Sequence, residues 1–160
     1  MKALALVALC GCGVLRSPNG PASTAPVLAE LHREGCYGEC PVYRVIVYQD
    51  GVVEYHGQYY TKVIGLRTAR IDADAIKSID TQFVGDGFRA LDDYARSDCT
   101  DLPYVELTYR GKTVRHNYGD RRAPNETLTW LEGWIDYVTG SERWVGEEQA
   151  LAQPLGSFCE

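Results

Sequence analysis

Two cysteines four positions apart, Cys36 and Cys40, sit in the stretch Gly35 to Tyr43, which reads G-C-Y-G-E-C-P-V-Y. The chemistry open to such a pair is a disulfide, thiol–disulfide exchange or metal ligation. A bridge requires the two Cα atoms to come within about 7 Å, and a turn through Gly35 and Gly38 permits that. Pro41 lacks an amide donor and biases Cys40 away from helix, so the turn ends there and an apolar strand begins. Dithiol oxidoreductases more often have two intervening residues and a nucleophilic thiol at a helix N-terminus. Here three residues intervene and a strand follows, which favours a structural bridge over a redox pair. Metal ligation would need His56 or His116 to approach the cysteines, and no spacing matches a zinc motif, so neither a metal nor a cofactor is expected.

A second group is Arg44, Glu54 and His56, which the strand register described below brings to one face with Arg44 opposite His56. Such a cluster could bind a ligand or exchange a proton, but cross-strand charges on an exposed sheet are usually just solvated. Tyr37, between the two cysteines, and Tyr48, Tyr59 and Tyr60 form an aromatic edge suited to binding a partner. Asp92, Asp93, Asp98 and Asp101 make an acidic loop whose spacing matches no calcium site. His32 reads as exposed and His116 as a partly buried packing residue. The chain has no nucleophile elbow, no H-E-x-x-H and no phosphate loop, which lowers an enzymatic reading without removing it.

The elements that position these residues follow from periodicity. One strand runs from about Val42 to Tyr48 and a second from Val52 to Tyr60. A three-residue loop, Gln49-Asp50-Gly51 with Gly51 left-handed, pairs Val47 with Val53 and Val45 with Tyr55, whereas a two-residue loop would mix the faces. Tyr43, Val45, Val47, Val53, Tyr55 and Tyr59 then form the core face. Arg44, Ile46, Tyr48, Val52, Glu54, His56 and Gln58 form a largely wet one. A third strand spans about Ile64 to Ile71. Asp72 caps a helix that runs to about Phe83 and stops at Gly85, burying Ile76, Ile79 and Phe83. After an irregular acidic stretch, Pro103 opens a second hairpin, about Tyr104 to Tyr109 and Lys112 to Tyr118, with Leu107 opposite Val114. Pro124 starts a last helix to about Val138, with Gly140 as its stop. Its core stripe is Leu128, Leu131, Ile135 and Val138, and Trp130 and Trp134 add a second stripe. The fold class is α+β: a single antiparallel sheet of about five strands, order β-β-β-α-β-β-α, with two helices on one face.

At 160 residues the chain holds one domain with a real core plus tails. Eleven tyrosines against three phenylalanines lean toward half-wet strands. The formal charge is -6. Such an acidic surface repels phosphates and argues against nucleic acid as a partner.

The N-terminus carries Lys2, the apolar run Ala3 to Leu9, and L-C-G-C at Leu9 to Cys12. It resembles a bacterial lipoprotein signal, which implies cleavage after Gly11 and acylation of Cys12. The apolar stretch to Leu15 is too short to span a bilayer as a helix, which needs about 20 residues. Residues 1–11 are therefore read as a signal peptide and 12–30, rich in Pro, Ser and Ala, as a flexible tether. Residues 31–145 are the globular domain and 146–160 a C-terminal tail. With Cys10 removed and Cys12 acylated, Cys36, Cys40, Cys99 and Cys159 remain, an even number suited to an oxidising compartment. Four cysteines allow three pairings; Cys36 with Cys40 is favoured by proximity, and Cys99 with Cys159 by default.

The stretch from about Glu34 to Val145 resembles a family of small bacterial envelope domains of unknown function. The resemblance rests on G-C-Y-G-x-C-P-x-Y, here Gly35 to Tyr43, with D-G at Asp50-Gly51, D-L-P at Asp101 to Pro103 and W-V at Trp144-Val145. It implies a secreted α+β domain and hands over no activity, ligand or catalytic residue. The expected function is a lipid-anchored envelope module that binds another envelope protein or a cell-wall polymer, membrane-attached on the periplasmic or surface side. The alternative is a thiol–disulfide protein using Cys36 and Cys40.

Overall fold

The structure, a computed structural model, describes residues 22–94, 102–120 and 122–146. Cys12, Cys99, Cys159, Asp98 and Asp101, the signal segment and nearly all of the tail lie outside the described residues.

The chain folds as α+β, a single antiparallel sheet with its two main helices packed on one face. Six strands are present: β1 Val27–Arg33, β2 Val42–Tyr48, β3 Val52–Tyr59, β4 Gly65–Arg70, β5 Tyr104–Tyr109 and β6 Lys112–Asn117. They lie in the order β4-β3-β2-β1-β5-β6. The helices are α1, Ala73–Gly85, and α2, Asn125–Thr139, followed by the short α3, Glu142–Val145.

The sixth strand is β1, drawn from residues that read as tether and lead-in. Val27 to Glu30 belong to a central strand hydrogen-bonded to β2 on one side and β5 on the other, so these residues, read as the end of a tether, are part of the folded domain. The Pro/Ser/Ala composition concealed a short alternation: Ala29 and Leu31 are buried toward the helices, while Glu30 and His32 are partly exposed on the other face. The residues ahead of β1 are pinned as well. The Ser23 hydroxyl donates to Asp50 at 2.7 Å, and the Gln49 amide donates to the Pro26 carbonyl at 2.9 Å.

The first hairpin has the expected register, with Val47 opposite Val53, Val45 opposite Tyr55 and Arg44 opposite His56. Gly51 takes φ 82°, and a Cβ there would sit 2.5 Å from the Ile71 carbonyl oxygen. Tyr43, Val45, Val47, Val53 and Tyr55 are fully buried in the main core. Two features of the faces differ from expectation. Tyr59 is exposed, at the end of β3 opposite Val42 and beyond the irregularity in pairing between Val42 and Tyr43. Ile46, Tyr48 and Glu54 are buried on the outer face, because Ala22, Ala25 and Val27 fold back over them. Tyr48 therefore leaves the exposed aromatic edge.

The second hairpin pairs Leu107 with Val114 and Val105 with His116. It turns at Arg110 and Gly111, both at positive φ, the two-residue geometry whose twist suits a hairpin. Asp72 accepts a hydrogen bond from the Ala75 amide and caps α1. Pro124 stands at the cap of α2 instead of its first turn, and left-handed Gly140 ends that helix. Leu128, Leu131 and Ile135 are fully buried against the sheet.

Candidate functional site

The inner face of α2 carries charge as well as leucine. At about 100° per residue, Glu132 falls about 40° from Leu128 and Asp136 about 80°, on the edge of the buried arc. Both carboxylates are enclosed, with side-chain exposures of 0% and 3%, and Arg33 at the end of β1 reaches between them with 13%. Its Nη1 lies 2.6 Å from Glu132 Oε2 and its Nη2 lies 3.7 Å from Asp136 Oδ2. The guanidinium also donates to the Tyr43 hydroxyl at 2.8 Å and the Tyr118 hydroxyl at 2.9 Å.

Four further partners come from β2, from β6 and its end, and from the turn after α2. Tyr43, opposite Arg33 in the β1–β2 register, donates to Asp136 at 2.7 Å. Tyr118, just past β6, donates to Glu132 at 2.5 Å. His116 Nε2 on β6 lies 2.6 Å from Glu132 Oε1. Ser141, beyond α2, donates to Asp136 Oδ1 at 2.5 Å. An ionised carboxylate only accepts, so the His116 proton sits on Nε2. Its Nδ1 has no hydrogen-bond partner among the described residues.

Burial pushes the Glu132 carboxyl up, but the Arg33 charge and the His116 contact outweigh it and hold this group below its usual range. At Asp136 burial wins over Arg33 and the hydroxyl donors, and the carboxyl is raised. Burial also raises the Tyr43 and Tyr118 hydroxyls, with the neighbouring carboxylates adding to it. One arginine thus serves two carboxyls of unequal acidity. Each side chain in the cluster contacts another member of it, and both carboxylates are closed off from solvent while the Arg33 side chain keeps 13% exposure. Its capacity is to tie α2 to β1, β2 and β6.

The Cys36–Cys40 bridge is formed, with a Cα–Cα distance of 5.7 Å. It closes the loop between β1 and β2, so Arg33 and Tyr43 stand at the two feet of the clasped loop. Tyr37 at its tip is 91% exposed. Tyr59, whose strand position faces Val42, lies at the same end of the sheet, with Tyr60 next to it in the chain.

The Arg44, Glu54 and His56 group is only partly brought together. Arg44 and His56 are register partners, but Arg44 Nη2 pairs with Glu30 at 2.7 Å. His56 Nε2 lies 2.5 Å from Glu54 Oε1, and Glu54 Oε2 accepts from the Ala22 amide at 2.5 Å. Burial raises the Glu54 carboxyl, yet the His56 and Ala22 contacts hold it below its usual value. Glu54 therefore anchors the residues ahead of β1. His32 pairs with Glu106 at 3.7 Å. Among the described residues no group of three or more His, Cys, Asp and Glu side chains could hold a metal ion.

The buried cluster escaped the sequence reading, which followed Leu128, Leu131, Ile135 and Val138 and gave Glu132 and Asp136 no role. The available signal was a Glu and an Asp four apart inside that arc, with an arginine immediately before the cysteine loop.

A family model described as "Domain of unknown function (DUF6438)" matches residues 27–139, well over half of the chain. No curated protein matches it. The chain belongs to the DUF6438 family.

Proposed function

We propose that this member of a family of unknown function is a lipid-anchored bacterial envelope module that acts by binding and not by catalysis. The observation that carries the reading is the clasped loop. Tyr37, 91% exposed, projects from a ring closed by Cys36–Cys40, and Tyr59 and Tyr60, 65% and 54% exposed, lie at the same end of the sheet. Aromatic rings held in solvent on a short closed loop lose little conformational entropy on contact, which is what a preorganised interface requires. The partner is another envelope protein or a cell-wall polymer. The anchor is Cys12, supported by the lipobox-like L-C-G-C.

Replacing Tyr37, Tyr59 and Tyr60 together by alanine is expected to abolish recovery of crosslinked partners from an envelope fraction, or sedimentation with isolated wall, while the melting temperature holds. Unchanged partners and unchanged wall association would remove the reading. For the anchor, Cys12→Ser is expected to move the protein from the membrane to the soluble fraction.

A second reading, thiol–disulfide exchange at Cys36 and Cys40, is favoured by the position of the bridge in an exposed loop. Opening in glutathione buffers poised near about -200 mV would support it, and resistance down to about -300 mV would make the bridge a structural clasp.

A further inference from the structure

The outer face of α2 inverts the usual amphipathic pattern. Where a surface helix turns charge to water, this one turns Trp130 and Tyr137, 52% and 66% exposed, with Trp134 half-buried between them and its Nε1 enclosed. The rings form a row along the helix: the centroids of Trp130 and Trp134 are 5.6 Å apart at 25°, and those of Trp134 and Tyr137 are 5.6 Å apart at 32°. Contacting faces lie roughly 3.5–4.0 Å apart, so inclined rings with centroids 5.6 Å apart overlap only in part, and the open ring surface is that of the two outer members, Trp130 and Tyr137.

Gly133 sits among them in the middle of the helix. A Cβ there would meet nothing within 4 Å, and Gly133 is not among the residues at positive φ. Neither packing nor backbone geometry calls for glycine, which costs a helix about 1 kcal/mol relative to alanine. Its effect is to leave the helix surface alongside the row, on the turn between Trp130 and Tyr137, without a side chain.

The size and chemistry of the patch select the occupant. A ring offers about 150–250 Å², so the exposed parts of Trp130 and Tyr137 amount to about 200–300 Å². That is well short of the roughly 800 Å² per partner of a stable protein interface, which argues against a second copy of the chain. It matches one or two sugar rings. The C–H-bearing face of a pyranose is apolar and weakly positive and packs on the negative face of an aromatic ring, and a row of offset rings repeats along one direction as a polymer does. The chain's net charge of -6 opposes an anionic lipid surface or a polyphosphate.

We infer that the Trp130–Trp134–Tyr137 row, with the Gly133 gap beside it, is a binding platform for the sugar rings of a neutral polysaccharide. The inference needs neither the lipid anchor nor the tyrosines of the clasped loop.

The test titrates the full-length chain with three neutral hexasaccharides, of β-linked N-acetylglucosamine, β-1,4-glucose and β-1,3-glucose, followed by tryptophan fluorescence and calorimetry. Saturable binding of at least one is expected. Trp130→Ala and Tyr137→Ala should each weaken it about tenfold or more. Gly133→Leu, which keeps all three rings and raises helix propensity, should abolish binding without lowering the melting temperature. Leu66→Ala, on exposed β4, should bind as the parent does. No saturable binding to any of the three at about 5 mM would overturn the inference, as would binding that survives Trp130→Ala and Gly133→Leu. Concentration-dependent dimerisation lost in Trp130→Ala would overturn it in favour of a second copy, and binding of neutral phosphatidylcholine vesicles lost in the same variant would overturn it in favour of a lipid surface.

Discussion

Removing the Arg33 charge should cost more than any other single polar change in the domain. Arg33→Met keeps most of the side-chain volume but leaves Glu132 and Asp136, with side chains 0% and 3% exposed, without the cation 2.6 and 3.7 Å away. It also removes the donor to the hydroxyls of Tyr43 and Tyr118. Breaking a buried ion pair on one side costs about 3–5 kcal/mol, chiefly from the charge left behind. Against a typical domain stability of about 5–15 kcal/mol that is a fifth or more of the total. The pH dependence identifies the cause. In the parent, Glu132 has a depressed carboxyl, so its contribution is full above the unfolded value near about 4.3 and fades as pH falls through the folded one. Asp136, raised, works the other way and regains stability on acidification. Without Arg33 both carboxyls are raised by burial, the folded state binds more protons than the unfolded one, and the variant gains stability between pH 7.5 and 5. Each unit of upward shift is about 1.4 kcal/mol, so the deficit relative to the parent should shrink by more than 1 kcal/mol across that range. Urea unfolding at both pH values, without reductant, measures it. A deficit below about 1 kcal/mol at pH 7.5, or one that grows on acidification, would refute the reasoning. The variant that also carries Glu132→Gln and Asp136→Asn removes the uncompensated charge and should be more stable than Arg33→Met alone.

Gly57→Ala would put a Cβ 2.0 Å from the Val63 carbonyl oxygen and 2.7 Å from the Tyr55 hydroxyl, so a loss of about 1–3 kcal/mol is expected in thermal unfolding. Asp72→Ala removes the cap on the Ala75 amide and should cost about 1 kcal/mol, read as a lower urea midpoint with unchanged slope. Replacing Cys36 and Cys40 together by serine opens a small ring and should cost about 2 kcal/mol on the chain-entropy account, leaving the far-ultraviolet circular dichroism of the sheet intact.

The fold was legible wherever one face of an element is plainly apolar. Val45, Val47, Val53 and Tyr55 fix the register of β2 and β3, because a slip by one residue would put them in water. The turn chemistry of Gly51 and Gly111 and the cap at Asp72 are local signals and were read locally. β1 was hidden because V-L-A-E-L-H-R is short, follows a Pro/Ser/Ala stretch, and gains its strand character from long-range pairing with β2 and β5. The burial of Tyr48 and Glu54 was invisible for the same reason, since it depends on where the residues before β1 return. The clasp and the exposed Tyr37 were readable from spacing. The ionic cluster was not, because its members come from positions 33, 43, 116, 118, 132, 136 and 141, and only the folded sheet brings them together.

The two features that could and could not be read are mechanically joined. The loop that presents Tyr37 leaves β1 at Arg33 and enters β2 next to Tyr43, and those two residues are register partners. Above them the loop is closed by Cys36–Cys40. Below them both side chains engage Asp136 on α2, Tyr43 by a hydrogen bond and Arg33 as an ion pair, and Arg33 pairs with Glu132 as well. The clasp limits the loop's own conformations, while the buried charges fix the frame from which it projects. Two constraints on one short segment do not act independently, because either one alone reduces the freedom the other removes. Combining Cys36→Ser and Cys40→Ser with Arg33→Met should therefore depart from the sum of the separate losses by about 0.5 kcal/mol or more. Hydrogen exchange at the amides of residues 34 to 40 should rise more in the combined variant than the separate increases predict. Strict additivity in both measurements would mean that α2 holds the sheet without holding the loop, and that the exposed tyrosine owes its placement to the disulfide alone.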